Sequence, residues 1–315
     1  MREQRKFAER AKTLSSNEVR KKYFIVTEGE KTEQLYFAMI ESRRETLGIN
    51  PLIEFIPLVR NVSEDGWSNP QKIVDRLIQN LSESASGCIS YENLINALIE
   101  YLFDENLLSP NVSQKSVWNT LSLNCIQLFN VSLSDTVTDV PSTCAALLAS
   151  TSQPIALNVV VNDLPKIIGN QRITYSAGID KICLIIDRDR NSFKSNPGND
   201  QYAYVLAACK DNSFGFYLSN PCFEFWLLLH FSEVLSLDKN KLLSNQKVTS
   251  ERRYVESELR KLFPGYTKSK YNAEALAPLV DNAIKNERAF CEDAALLESS
   301  LGSRVGLLIE EMRSR

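Results

Sequence analysis

The chain has 315 residues, 43% hydrophobic and 24% charged, enough to bury one sizeable core or a core with an inserted subdomain. A net charge of −3 and a pI near 5.5 neither announce nor exclude a nucleic-acid binder, which needs only a local basic surface and not a basic average. The single histidine, His230, argues against zinc and Ser-His-Asp chemistry.

Residues 1–22 hold eight Lys or Arg (Arg2, Arg5, Lys6, Arg10, Lys12, Arg20, Lys21, Lys22) against Glu3, Glu9 and Glu18. This basic leader reads equally as a phosphate-binding arm or a solvated helix. No apolar stretch follows it, as a signal peptide would require, and no run reaches the roughly 20 apolar residues of a membrane helix, so no membrane association is expected.

Tyr23 to Thr27 (YFIVT) is a short apolar run bounded by polar residues, the pattern of a buried strand, and it stops at Glu28-Gly29. Leu35, Met39 and Ile40 then fall at helical spacing, predicting a helix from Lys31 to Glu45. IEFIPLV, residues 53–59, predicts a second strand. NPQKIVDRLIQN predicts a second helix, capped by Ser68 or Asn69. Between them Trp67, in EDGWSNP, is either a packing residue or a base-stacking one.

The segment 81–178 breaks this rhythm. Three basic residues (Lys115, Lys166, Arg172) face eight acidic ones, a net of −5 that leaves +2 for the remainder. Its first half has helical patterning, and its second half (IALNVVVND, QRITYSA) is richer in Ser, Thr and β-formers. We read it as an acidic, mostly helical inserted subdomain. Such charge suits a partner or regulatory surface better than phosphates.

KICLII, residues 181–186, is the next buried strand and runs into Asp187-Arg188-Asp189-Arg190. A helix near Gln201 to Lys210 and a strand from Phe214 to Leu218 follow. SNPCFEFWLLLHF then predicts a helix capped by Ser219 or Asn220, with Pro221 at its first position. Strands alternating with helices predict a mainly parallel α/β sheet flanked by helices. The expected organisation is a leader (1–22), a core in two parts (23–80 and 179–315) and the insert (81–178). The seven cysteines are scattered, with no Cys-x-x-Cys pair, pointing to reduced thiols and a cytoplasmic setting.

In open parallel sheets functional groups gather beyond the carboxyl ends of the strands. Glu28 and Asp187 each follow such a strand, and Asp187 and Asp189 share a face if extended. These hard oxygens suit Mg²⁺ or Mn²⁺, with Gly29 letting the backbone turn beside them. The competing reading of Asp-x-Asp is a polar turn capping a helix. Glu224 is either a further ligand or a helix N-terminal acid. Lys31, Arg188 and Arg190 flank the acids, and Lys268 and Lys270 lie in YTKSKY. All are read either as phosphate contacts or as solvated or salt-bridged side chains. Phe223, Phe225, Trp226 and Leu227 to Leu229 read as core, and His230 as structural.

VTEGEKTE (26–33), IIDRDR (185–190), SNPCFEFWLLLHF (219–231) and GSRVGLLIEEM (302–312) together resemble RloB-like proteins, a branch of the Toprim superfamily. The resemblance covers about two thirds of the chain and leaves 81–178 unmatched. It implies a Toprim fold, Glu28 as general acid/base or metal ligand, and Asp187 and Asp189 holding Mg²⁺. It also implies bacterial anti-phage defence in the manner of OLD-like nucleases, which cut tRNA or DNA beside ABC-type ATPases; an oligomeric assembly is compatible with this. Those nucleases often carry a second acid four residues after the Glu. Here that position is Thr32, which leaves Glu33 or Glu224 to stand in and the number of metals open.

Other classes fit less well. A sugar-nucleotide transferase would not call for the Glu-Gly-Glu-Lys turn, and a dehalogenase-type phosphatase needs Thr or Val where Asn191 stands. The glycine spacing of a Walker loop is absent around Lys31-Thr32. A non-catalytic sensor subunit that docks a partner through the acidic insert is the alternative from a different class.

Overall fold

The computed structural model describes residues 1–3, 20–29, 31–64, 69–109, 111–151, 157–188, 193, 200–250 and 252–314. The strands are β1 (Arg2–Glu3), β2 (Lys21–Thr27), β3 (Ile53–Val59), β4 (Lys181–Asp187), β5 (Gly215–Asn220) and β6 (Gly302–Ser303). The first six helices are α1 (Thr32–Ser42), α2 (Pro70–Ser86), α3 (Tyr91–Asp104), α4 (Gln114–Phe129), α5 (Val140–Ala149) and α6 (Leu157–Gln171). The later six are α7 (Gln201–Asp211), α8 (Phe223–Leu228), α9 (Lys239–Ser244), α10 (Tyr254–Leu262), α11 (Val280–Glu287) and α12 (Val305–Arg313).

Two compact units make up the chain. One comprises Met1–Phe7, Leu58–Trp67 and Asp75–Tyr175, the other Ala8–Pro57, Ser68–Val74 and Ser176–Arg315. In the second unit the strand order is β3-β2-β4-β5-β6. β2 pairs parallel with β4 (Tyr23 opposite Lys181, Thr27 opposite Ile185), and β4 pairs parallel with β5 (Asp187 opposite Ser219). β6 closes antiparallel on β5, with Ser219 opposite Ser303. β2 and β4 are apolar on both faces because both are covered. Tyr23, Ile25, Cys183 and Ile185 pack into a core with Tyr36 of α1, Phe223, Phe225 and Trp226 of α8, and Leu308 and Ile309 of α12. Phe24, Val26, Ile182, Leu184 and Ile186 are buried on the alternate positions.

The first unit is helical around its own core. Leu94, Leu98 and Leu102 of α3 meet Leu121 and Cys125 of α4, Cys144 and Leu147 of α5, and Val160, Leu164 and Ile167 of α6. The NVVVND stretch, rich in β-formers, is thus helical: its buried positions recur at four- and three-residue steps, and that burial outweighs β propensity. In this unit β1 pairs antiparallel with the end of β3, Arg2 opposite Val59.

Two local expectations change. The helix after β5 starts at Phe223, with Cys222 before it and no side-chain cap. Ser219 and Asn220 instead finish β5, because the ladder with β6 extends to Asn220, and the Asn220 amide donates to Leu297 O at 2.6 Å. At α2 the cap is Asn69, whose Oδ1 accepts the Lys72 N–H at 3.3 Å. Trp67 and most of the basic leader lie outside the described residues. All seven cysteines are free thiols. Among the described residues no helix is long and apolar enough to cross a membrane.

Candidate metal and phosphate site

The parallel pairing of β2 with β4 brings Glu28 and Asp187 together at the carboxyl ends of neighbouring strands. The Glu28 N–H donates to Ile185 O at 3.1 Å, continuing the ladder by one residue, and the Asp187 N–H donates to Glu28 Oε2 at 3.1 Å. Asp187 Oδ1 in turn accepts the N–H of Phe223, the first residue of α8, at 2.8 Å. Each carboxylate is therefore aimed by a backbone donor and not by loop chance.

Two further acids stand beside this pair. Glu33, on the first turn of α1, is buried directly beneath Gly29: a Cβ added at Gly29 would lie 2.1 Å from Glu33 Oε2. A side chain at position 29 would thus have to displace the buried end of the Glu33 side chain, which glycine leaves in place. Burial pushes Glu33 up to about 7, with Glu224 and Glu28 adding to the rise as like charges. Asp187 is pushed well above the ordinary carboxylate range by desolvation and by the neighbouring Glu33, Glu28 and Glu224.

Glu224, buried on the first turn of α8, has an assigned counter-ion. Lys268 Nζ lies 3.1 Å from its Oε1, and the Tyr266 hydroxyl donates to the same oxygen at 3.2 Å. Burial alone would raise Glu224, but the Lys268 ammonium and a hydrogen bond from Cys222 bring it below its ordinary value. The strand-like turn carrying Lys268 is fastened to the start of α1. Thr32 Oγ1 donates to Lys268 O at 2.7 Å, and the Tyr271 hydroxyl donates to Thr32 O at 2.8 Å.

Asp187, Arg188, Glu224 and Lys268 line a cleft of about 710 Å³, along with Lys247, Arg253 and Glu298. Arg188 stacks on Phe193 and Tyr202, 5.4 and 5.7 Å from the ring centres, and its Nη2 lies 3.4 Å from Glu298. Among the described residues its buried Nε and Nη1 find no hydrogen-bond partner. Lys31 is exposed at the start of α1 and Lys270 is exposed, and neither lines this cleft. Asp189 and Arg190 lie outside the described residues. Lys247 and Arg253 escaped the sequence reading: no acidic motif or strand end marks them, and only the return of the chain after α9 brings them to the cleft.

His230 is buried, with ring nitrogens 3.1 Å from the Tyr36 hydroxyl and 3.2 and 3.1 Å from Trp226 O and Leu227 O. Burial lowers it to about 4, so it is a neutral core residue. Phe223, Phe225 and Trp226 are likewise fully in the core.

The divalent cation implied by the resemblance would meet hard oxygen donors of suitable type. The mutual repulsion of Glu28, Glu33 and Asp187, which Lys268 relieves chiefly at Glu224, is the electrostatic setting that a cation compensates. Among the described residues, however, no three His, Cys, Asp or Glu side chains are already gathered as a metal-holding group.

A mainly parallel sheet with helices around it, and acids at the ends of adjacent strands, is a Toprim-like α/β architecture. The chain belongs to the RloB-like protein family, whose model matches residues 23–312. That span encloses 81–178, which the sequence motifs alone left unmatched. No curated protein and no solved structure matches the chain.

Proposed function

We propose that this protein is a metal-dependent nuclease of the Toprim type, cutting RNA (tRNA) or DNA in bacterial anti-phage defence alongside an ABC-type ATPase. The observation that carries this reading is the joined pair Glu28 and Asp187 at the ends of β2 and β4, of which Asp187 lines a cleft that also holds Arg188, Lys247, Arg253 and Lys268. In this reading Asp187 and Glu28, with Asp189 and Glu224 completing the set, would hold Mg²⁺ or Mn²⁺. Such an ion lowers the pKa of a bound water and offsets charge on a phosphoryl oxygen. The protein's own residues do the rest. Glu28 serves as the acid/base group, steadied by the Asp187 N–H. Arg188 and Lys268 hold phosphate oxygens, and the N–H groups on Nε and Nη1 of Arg188, without a partner among the described residues, are what such an anion would satisfy.

Incubating the purified chain with tRNA, single-stranded RNA, plasmid and single-stranded DNA, with and without Mg²⁺ or Mn²⁺, tests this reading. Metal-dependent cleavage that Glu28→Gln and Asp187→Asn each abolish is the expected result. Cleavage surviving both changes would sink it. A second reading, a non-catalytic Toprim-like sensor, draws on the lack of a gathered ligand set among the described residues. It expects metal-independent nucleic-acid binding and no cleavage with or without a partner.

A further inference from the structure

Between α9 and α10 the chain doubles back on itself beside the cleft. Lys247 and Arg253 face each other across an antiparallel bridge. The Tyr254 N–H donates to Gln246 O on one side of it, and the Val248 N–H to Arg252 O on the other, each at 2.9 Å. Residues opposite each other in such a bridge present their side chains on one face, and both cations line the cleft that holds Asp187. Asn245 fastens this turn to the acids. It ends α9 in the left-handed region, with φ of 39°, and its Oδ1 accepts the Val255 N–H at 3.0 Å. Its Nδ2 donates to Cys222 Sγ at 3.6 Å, and the next residue, Phe223, donates its N–H to Asp187. A short run of bonds thus ties the two cations to the carboxylate at the end of β4.

Like charges set opposite each other across a bridge repel, and an anion between them removes that cost. Among the described residues no side chain supplies one. Of the acids lining the cleft, Glu224 is paired with Lys268 at 3.1 Å, Glu298 with Arg188 at 3.4 Å and Glu256 with Arg260 at 3.7 Å. Lys247 is exposed, and Arg253 commits its Nη1 to Asn245 O at 3.2 Å, leaving most of its five N–H donors for another acceptor. A guanidinium with donors to spare beside an ammonium group suits a phosphate. In the nuclease reading, on which this step rests, Arg188 and Lys268 already serve the reacting phosphate. A second cationic pair in the same cleft calls for a second phosphate. We infer that Lys247 and Arg253 grip a flanking phosphate, so that the substrate is a polynucleotide strand with phosphates beyond the cut, and not a nucleotide or an isolated phosphodiester. The grip meets the backbone and is indifferent to base sequence.

Fluorescence anisotropy of labelled single strands, with the full chain, without metal and over a salt series, tests this apart from cleavage. Lys247→Met with Arg253→Met should weaken binding about tenfold and flatten the log–log salt dependence by about 1.4, at about 0.7 for each phosphate contact. The loss should be alike for strands of different sequence. Should the double variant fail to fold, Lys247→Met alone decides, with an expected flattening of about 0.7. Its side chain is exposed, and the change leaves the backbone bonds of the turn in place. A wild type that binds no strand, or binding indifferent to these changes, overturns the inference; metal-dependent cleavage found beside such indifference leaves the nuclease reading standing. A strand displaced as readily by inorganic phosphate as by unlabelled strand of equal phosphate content also overturns it, since the pair would then hold a free anion. Strand binding that needs both cations in a chain that cuts nothing upholds the grip and sinks the nuclease reading instead.

Discussion

The N–H of Asp187 donates to the carboxylate of Glu28 at 3.1 Å, linking the last residue of one buried strand to the residue that follows its parallel neighbour. The two acids are thus set by sheet register, and any shift of β2 against β4 would part them. The same register keeps Asp187 among like charges, and that has a consequence for stability.

Asp187→Asn should abolish metal-dependent cleavage and at the same time raise the melting temperature by a few degrees, about 2–4 °C. Asparagine keeps an oxygen for the Phe223 N–H while removing repulsion from Glu33, Glu28 and Glu224. A thermal scan beside the cleavage assay checks both halves. A variant that is inactive and less stable contradicts the electrostatic account.

Gly29→Ala should destabilise the protein by about 1–3 kcal/mol, because the new methyl group meets the Glu33 carboxylate. Truncating that carboxylate in the same chain, Gly29→Ala with Glu33→Ala, should recover most of the loss. Urea denaturation of the two single variants and the double variant measures the coupling. Strict additivity would show that Glu33 is not what the glycine accommodates.

Lys268→Met leaves Glu224 buried without its cation. The expected cost is about 1–2 kcal/mol, kept small because the lysine side chain is 64% exposed and well screened. Adding Glu224→Gln should restore stability without restoring phosphate affinity. Denaturation curves and phosphate-ligand titrations separate these effects.

Stability should also respond to pH through two buried groups of opposite sign. Burial raises Glu287 from 4.5 to about 7, partly offset by the Gly306 N–H and the Ser303 hydroxyl, so its favourable contribution is full below pH 4.5 and lost as pH rises to 7. His230, lowered from 6.5 to about 4 by burial, gives stability that is present above 6.5 and lost as pH falls toward 4. Glu287→Gln should remove the first trend, leaving the variant more stable than the wild type above pH 7 by up to about 3 kcal/mol. It should show no advantage below pH 4.5. Paired urea curves at pH 4.5 and 8 give the difference, and an equal gain at both would contradict a titration origin.

Much of this was legible from sequence because it lies in local pattern. YFIVT and KICLII announced buried strands, and the acids ending them announced the carboxyl edge of the sheet. Other parts depend on distance along the chain. Nothing near Glu224 signals that Lys268 and Tyr266 return to it, and Gly29 does not announce Glu33, since the contact arises only once α1 folds back under the turn. In NVVVND the β-forming residue types pull against the helix, and the spacing of Val160, Leu164 and Ile167 accounts for it. At SNPCFEF a helix-start pattern was overridden by pairing with β6, a partner more than eighty residues away.

Thr32 carries a consequence for how the site can be altered. Its hydroxyl and carbonyl both hold the segment that delivers Lys268. An acid at this position would place a carboxylate against the Lys268 carbonyl and lose the hydroxyl bond, leaving the Tyr271 hydroxyl on the residue-32 carbonyl to hold the segment. Introducing a second acid at position 32 would therefore add a carboxylate to the site at the cost of one of the two bonds that fasten the Lys268 segment. The turn after α10 and position 32 are thus coupled, and a change at one is felt at the other.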